Sequence, residues 1–266
     1  MSVSFLPRHR TSTWPPTASL SSWFAGSLGR ELLEIEQRHF DREVADLFGF
    51  NAFQIELPEY EFLRANRMPF RTVIGLQGPA GVRADACALP IQSGSADLVV
   101  LPHTLEFSDN PHQVLREVSR VLRPEGHVII SGFNPWSLWG VRRLAARSRE
   151  YPWSGQFINL PRLKDWMALL SFELSAGRMA HYAPPFASDK WRHRFAFMEK
   201  AGDRWWPFAG GIYFLHAIKR VAGMRIITPK WAHSARKKKA LAAAPQRLTH
   251  ADDALAAREG EPLRRP

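Results

Sequence analysis

The chain has 266 residues, 45% hydrophobic and 23% charged, which is ordinary for a globular protein and enough for one domain with a full core. No window approaches the apolar length that spans a bilayer, and the single cysteine, Cys87, excludes an internal disulfide and a cysteine-based zinc site while fitting a reducing compartment. The net charge of +11 sits mainly at the ends, +3 in residues 1–30 and +4 in residues 231–266, which argues against a basic nucleic-acid-binding stripe on the folded body.

Residues 1–20 are rich in Ser, Pro and Arg and lack acids, so they read as a disordered leader; Pro15-Pro16 argues against a transit peptide. The positions Leu28, Leu32, Ile35, Phe40, Val44 and Leu47 then follow a helical spacing. A short strand is expected over 52-AFQIEL-57 and a short helix over 59–68. The run 72-TVIGL-76, closed by 77-QGPAG-81, reads as a second strand and turn.

Asp97 precedes 98-LVVL-101, a continuous apolar run of the kind buried on both faces of a parallel sheet. Asn110 suits an N-cap and Pro111 a first helical position, and Val114, Leu115, Val118, Val121 and Leu122 share one helical face. The helix should stop at 123-RPEG-126, with Gly126 as the turn residue, and a strand should follow over 127-HVIIS-131. Strand, helix and strand make a βαβ unit with a right-handed crossover. Beyond it come an aromatic loop over 132–140, a helix over 160–172, a strand over 172–179, a helix over 190–206 and a last strand over 211–221. Residues 231–266, rich in Ala, Lys and Arg, read as a flexible basic tail, which leaves 21–230 as the domain.

Between Asp85 and Pro135 the order is Asp-Ala, Leu-Pro, Asp-Leu-Val-Val, Leu-Glu, then a helix ending in Val-Leu-Arg-Pro-x-Gly. This run resembles the central part of a class I S-adenosylmethionine-dependent methyltransferase, of the small-molecule type found in ubiquinone biosynthesis. The resemblance implies an α/β, Rossmann-like fold with a doubly wound, mostly parallel seven-stranded sheet. S-adenosylmethionine would lie outside the carboxyl ends of its strands. It also implies that Asp85 binds the adenine amino group beside Ala86, that Leu89 walls the adenine, and that His103 and Thr104 lie near the methionine part. Glu106 matches the acid of the Leu-Glu pair.

The departures are specific. The family's first strand ends in glycines; aligned on 53-FQIELPE-59, this chain has Glu56, Leu57 and Pro58 there. The acid expected after the second strand is replaced by Gln77. Only 77-QGPAGVRA-84 stands where a helix and a strand are normal, so that helix is expected to be missing.

Methyl transfer is an in-line displacement at a sulfonium-activated carbon and needs alignment and exclusion of water more than a base, so no catalytic residue is assigned. Acceptor contacts are expected from Asn134, Trp136 and Trp139, with Tyr151 and Trp153 behind them, unless these aromatics are packing or lid residues. His181 and Tyr182 are base candidates. The histidines and acids show no zinc-ligand spacing, and no phosphate loop or nucleophile elbow occurs. The expected function is a cytoplasmic methyltransferase acting on a small-molecule acceptor, without a membrane span or a nucleic-acid partner. The alternative is a pseudoenzyme that keeps the fold as a binding or scaffold module.

Overall fold

The structure, a computed structural model, describes residues 20–146, 150–186, 194–195, 197–206 and 208–221. The chain divides into the units Met1–Val221 and Ala222–Pro266, the second outside the described residues. The leader before residue 20 and the basic tail expected over 231–266 also lie outside them.

Seven strands form one sheet: β1 (Asn51–Ile55), β2 (Phe70–Gly75), β3 (Val82–Arg83), β4 (Ala96–Pro102), β5 (Leu122–Phe133), β6 (Phe172–Ala180) and β7 (Ile212–Lys219). Their order is β3-β2-β1-β4-β5-β7-β6. The first five run parallel, and β7 lies antiparallel between β5 and β6. This is the doubly wound sheet expected from the sequence. The chain leaves β1 toward β2 on one side, and β4 joins on the other, so the switch point lies between the carboxyl ends of β1 and β4.

Every residue of β4 is buried, because helices cover both faces. Alternation along the strand assigns its side chains to two cores. Leu98 and Val100 pack with Leu32, Phe40 and Val44 of α2 (Ser27–Ala45), and with Leu20 and Phe24 of α1 (Leu20–Phe24). Val99 and Leu101 pack with Val114, Leu115 and Val118 of α3 (Pro111–Val121), and with Leu163 and Met167 of α5 (Leu160–Leu169). Each such aliphatic side chain contributes on the order of 2 kcal/mol by burial. The cap of α3 is as expected: Asn110 Oδ1 accepts from the Gln113 N–H at 3.1 Å, with Pro111 in the first turn. Two further helices, α4 (Leu138–Ala146) and α6 (Phe197–Trp205), flank the carboxyl end of β5 and the entry to β7.

Three local expectations change. No helix forms over 59–68. The buried Gln54 amide donates to the carbonyls of Glu56, Leu57 and Tyr60 at 3.1, 3.0 and 2.8 Å, and its Oε1 accepts from Phe62 N at 2.9 Å. These backbone groups are held by a side chain in turns, and a helix cannot recruit them. The stretch before Asp85 lacks its helix as expected but keeps a strand, the two-residue β3 paired to Ile74 and Gly75. After α3 the left-handed residue is Glu125 (φ 64°) rather than Gly126. Gly126 is required for closeness instead, since a Cβ there would stand 2.9 Å from Arg123 O and 3.2 Å from Ala96 O. The helix expected over 190–206 is described as α6; residues 190–193 lie outside the described set.

The entry to β1 is fixed by Asp97. This buried carboxylate accepts from Phe50 N at 2.7 Å and Asn51 N at 2.8 Å through Oδ2, and its Oδ1 pairs with Arg123. Replacing Asp97 by Ala orphans two backbone donors. The expected loss is roughly 2–4 kcal/mol of unfolding free energy, read from urea titration. Asp97→Asn retains one acceptor and should lose less than Asp97→Ala.

Candidate functional site

The loop after β1 lies at the switch point of the sheet. Glu56 (φ 66°) and Leu57 (φ 52°) adopt the left-handed conformation that favours glycine. Each costs about 1–2 kcal/mol relative to glycine's freedom. The loop is held in that path by Gln54 beneath it and by Glu56 N, which donates to Ile74 O at 2.7 Å. Leu57 is buried among Phe62, Leu63 and Met68, so it serves the core rather than the crevice wall.

The Glu56 carboxylate reaches across to the end of β2. An ideal Cβ on Gly75 would lie 3.3 Å from Glu56 Oε2, and the Leu76 N–H donates to the carboxylate. Burial pushes the Glu56 pKa up to about 7; Asp85 and Glu59 add repulsion, which the Leu76 amide opposes. Glu59 also leans over this turn, its Oε1 2.8 Å from a Cβ built on Gly78 (φ 73°), so glycine is required there. Gln77, expected to take the role of an acid after β2, is exposed on the same turn. The carboxylate at the end of β2 therefore comes from β1.

Asp85 follows β3. Its Oδ1 accepts from Cys87 N at 2.8 Å, and its charge acts on Glu56. Ala86 and Leu89 are buried. The segment is bound to α3: Leu89 N donates to Glu117 Oε2 at 2.9 Å, and Arg120 donates to the carbonyls of Leu89 and Ile91, each at 2.9 Å. Burial raises the Cys87 thiol pKa, so it is not an activated nucleophile.

Below the crevice lies a charged cluster without solvent access. His103 (φ 50°) ends β4; its Nδ1 meets Glu106 Oε2 at 2.7 Å and its Nε2 meets Glu36 Oε1 at 2.5 Å. Glu106 Oε1 also accepts from Phe133 N. Burial works against a charge on His103, yet the carboxylates of Glu36 and Glu106 outweigh it and push the pKa up to about 10. Burial raises the Glu106 pKa, and His103 opposes it. The Tyr213 hydroxyl is buried near Glu106 without a hydrogen-bond partner among the described residues, and burial raises its pKa. Thr104 Oγ1 donates to Ile55 O at 2.8 Å, tying the ends of β4 and β1 together. His103 and Thr104 are thus buried at the end of β4, with their polar side-chain atoms engaged by the protein. Glu36 was not singled out from the sequence. Its only signal there is its place between Leu32 and Phe40, four residues from each on the buried stripe of α2.

The acceptor candidates separate. Asn134 is committed to loop structure: its Nδ2 donates to Phe208 O and Gly210 O at 2.8 and 3.0 Å, and its Oδ1 accepts from Trp136 N. Trp139 is fully buried, stacked on Phe133 at 5.4 Å, with its indole N–H directed to Ala183 O. His181 is buried edge-on to Trp139 at 5.1 Å, and Tyr182 is buried beside Gly202. Trp136 alone of this set faces solvent. Trp153 and Tyr151 lie behind, Trp153 against Trp139 and Tyr151 against Phe107. A separate cleft of about 280 Å³, lined by Glu61, Arg64, Arg71 and Thr72 among others, opens beside the middle of β2 rather than at the strand ends. Among the described residues no cluster of His, Cys, Asp or Glu could hold a metal ion, and no helix is long and apolar enough to cross a membrane.

Comparison with known proteins bears on the domain and its fold. The family described as "Methyltransferase domain" matches residues 43–130, from the end of α2 into β5. An uncharacterized protein of Escherichia coli (strain K12), YafS, is 35% identical over 162 residues, covering 60% of this chain and 66% of that protein. The malonyl-[acyl-carrier protein] O-methyltransferase of Laribacter hongkongensis is 32% identical over 96 residues, 36% of this chain and 32% of that enzyme. The chain thus spans just under two thirds of the first relative and about a third of the second. In structure, an S-adenosylmethionine-dependent methyltransferase of Thermotoga maritima superposes with a TM-score of 0.55 at 15% identity, covering 75% of this chain and 94% of that one, a likeness of fold.

The buried cluster sets an alkaline limit. Because the folded pKa of His103 stands above its ordinary 6.5, its stabilising contribution is complete below pH 6.5 and is lost as pH rises through about 10. Urea unfolding of the wild type should show this decline, and Glu36→Gln should shift it to lower pH. His103→Asn should remove it and cost about 3–5 kcal/mol, because two carboxylates then face each other unpaired.

Proposed function

We infer that this chain, whose residues 43–130 match a methyltransferase domain, is an active S-adenosylmethionine-dependent enzyme that methylates a small-molecule acceptor. One observation carries the reading: beside the carboxyl ends of β1 and β2, near the switch point, the carboxylates of Glu56, Glu59 and Asp85 act on one another. The groups acting on Glu56 are two carboxylates and one amide. Such a set suits a ligand that brings hydrogen-bond donors and positive charge. S-adenosylmethionine offers a ribose diol, an adenine amino group and a sulfonium.

The residues present fit that cofactor in named roles. Asp85, with one oxygen on Cys87 N, has its other oxygen for the adenine amino group, and Ala86 and Leu89 supply the apolar wall. Glu56, delivered to the end of β2, takes the ribose hydroxyls in place of the absent acid, with Gln77 beside it. When bound, the cofactor supplies a methyl carbon activated by positively charged sulfur. The chain's part is to align it with the acceptor and exclude water, while Trp139 and Trp153 pack behind the site. The sulfur–methyl bond breaks as the acceptor's lone pair forms the new bond, and a proton carried by the acceptor atom leaves to solvent, so no group of the chain is assigned as its base.

The pseudoenzyme reading has its own support, the side chains of Glu56, Leu57 and Pro58 where glycines allow the closest backbone approach. Isothermal titration with S-adenosylhomocysteine separates the two. Micromolar binding that Asp85→Ala weakens at least tenfold supports the enzyme; no heat at millimolar ligand leaves the scaffold. The pKa of Glu56 near 7 adds a signature. Only the carboxylate accepts two hydroxyls, so affinity should rise with pH between about 6 and 8, and Glu56→Gln should bind weakly without that slope.

A further inference from the structure

We propose that the face formed by α4 and the loop entering β7 docks on an anionic lipid bilayer. Six large apolar side chains there, Trp136, Val141, Leu144, Trp205, Trp206 and Phe208, are between 61% and 79% exposed. They do not lie scattered. Asn134 joins the two loops: its Oδ1 accepts from Trp136 N at 3.0 Å while its Nδ2 donates to Phe208 O at 2.8 Å. The turn carrying Trp206 and Phe208 is closed by Ala209 N donating to Trp206 O at 2.9 Å. Trp136 leads directly into α4, whose inner face is spent on Trp139 and Gly140 while Val141 and Leu144 face out.

The composition names the occupant. Three of the six residues are tryptophan, the side chain that settles at the headgroup level of a bilayer because its body is apolar and its N–H is polar. Two arginines adjoin them in sequence. Arg142 lies over the Trp153 ring at 5.1 Å, and Arg204 is exposed one residue before Trp205. The full chain carries +11, of which +3 lies in residues 1–30 and +4 in residues 231–266. Apolar anchors with flanking arginines on a net basic protein complement a negative surface rather than a neutral one. Among the described residues no helix could cross a membrane, so the association would be peripheral.

The position gives the docking a use. The patch begins at the carboxyl end of β5, on the same edge of the sheet as the crevice. An acceptor dissolved in lipid could reach that edge without crossing water. This last step rests on the methyltransferase reading; the docking itself does not.

The test is co-sedimentation of the full chain with vesicles of phosphatidylcholine alone and of phosphatidylcholine mixed with phosphatidylglycerol. The expected result is pelleting with the mixed vesicles, a blue shift of tryptophan fluorescence, and a partition at least tenfold lower for a Val141→Glu/Leu144→Glu variant that melts at the wild-type temperature. Absence of pelleting at low salt overturns the proposal. So does pelleting that the double variant leaves unchanged, because the charged tail then carries the binding. A wild type that is dimeric in solution, made monomeric by the variant and indifferent to vesicles, assigns the face to a second copy and also overturns it. Titration of both proteins with S-adenosylhomocysteine in the absence of lipid tests the cofactor reading separately.

Discussion

The carboxyl edge of the sheet depends on one ionised imidazole kept away from water. His103 is fixed from both ring nitrogens, by a carboxylate on α2 and by one on the turn after β4. The second carboxylate also holds the backbone of β5 at Phe133. A helix and two strand ends are therefore joined through charges that cannot relax into solvent. In a medium of low polarisability no member can leave without exposing the others to repulsion or desolvation. The apolar packing of α2 is thereby joined by a fixed polar contact at Glu36.

Above that floor the loop after β1 solves a different problem. Its left-handed turns are made without glycine, at a conformational cost, and Gln54 offsets that cost by gathering three carbonyls and one N–H of the loop around a single buried amide. The gain is a side chain where the family has none. Glu56 crosses to β2 and supplies a carboxylate to a turn that ends in Gln77. Two departures that look like separate losses in the sequence are thus one rearrangement in space, because parallel strands place β1 and β2 side by side.

What the sequence could reveal follows from distance along the chain. In the β4–α3–β5 unit the first strand and the helix were legible to within two residues, because the buried run, Asn110 cap and apolar stripe are local signals, whereas β5 starts at Leu122, five residues before the expected 127. The strand order and the segment from Asp85 to Leu89 came through the family resemblance, and the doubly wound sheet agrees with it. The cluster under the crevice was not legible. Glu36 and His103 are 67 residues apart, and a glutamate on a helical stripe carries no mark of its partner. The absent helix over 59–68 failed for a related reason: a Gln side chain competed for backbone groups, and helical periodicity does not report such competition. Aromatics after β5 were read as one set, but burial divides them into a packed wall of Trp139 and Trp153 and an outward Trp136.

The placement of β7 bears on how the molecule is made. Leu215 and Phe214, in the middle of β7, pair on one side with Ile130 and Ser131 and on the other with Gly177 and Arg178, so the last strand among the described residues occupies an interior seat. While the chain emerges from a ribosome, β5 keeps an open edge and β6 has no neighbour until residue 219 is free. Those edges are templates for pairing with other nascent chains. The interval between synthesis of Phe133 and of Lys219 is then the period in which this protein most needs a chaperone, and a message truncated within that interval would yield a fragment prone to aggregate.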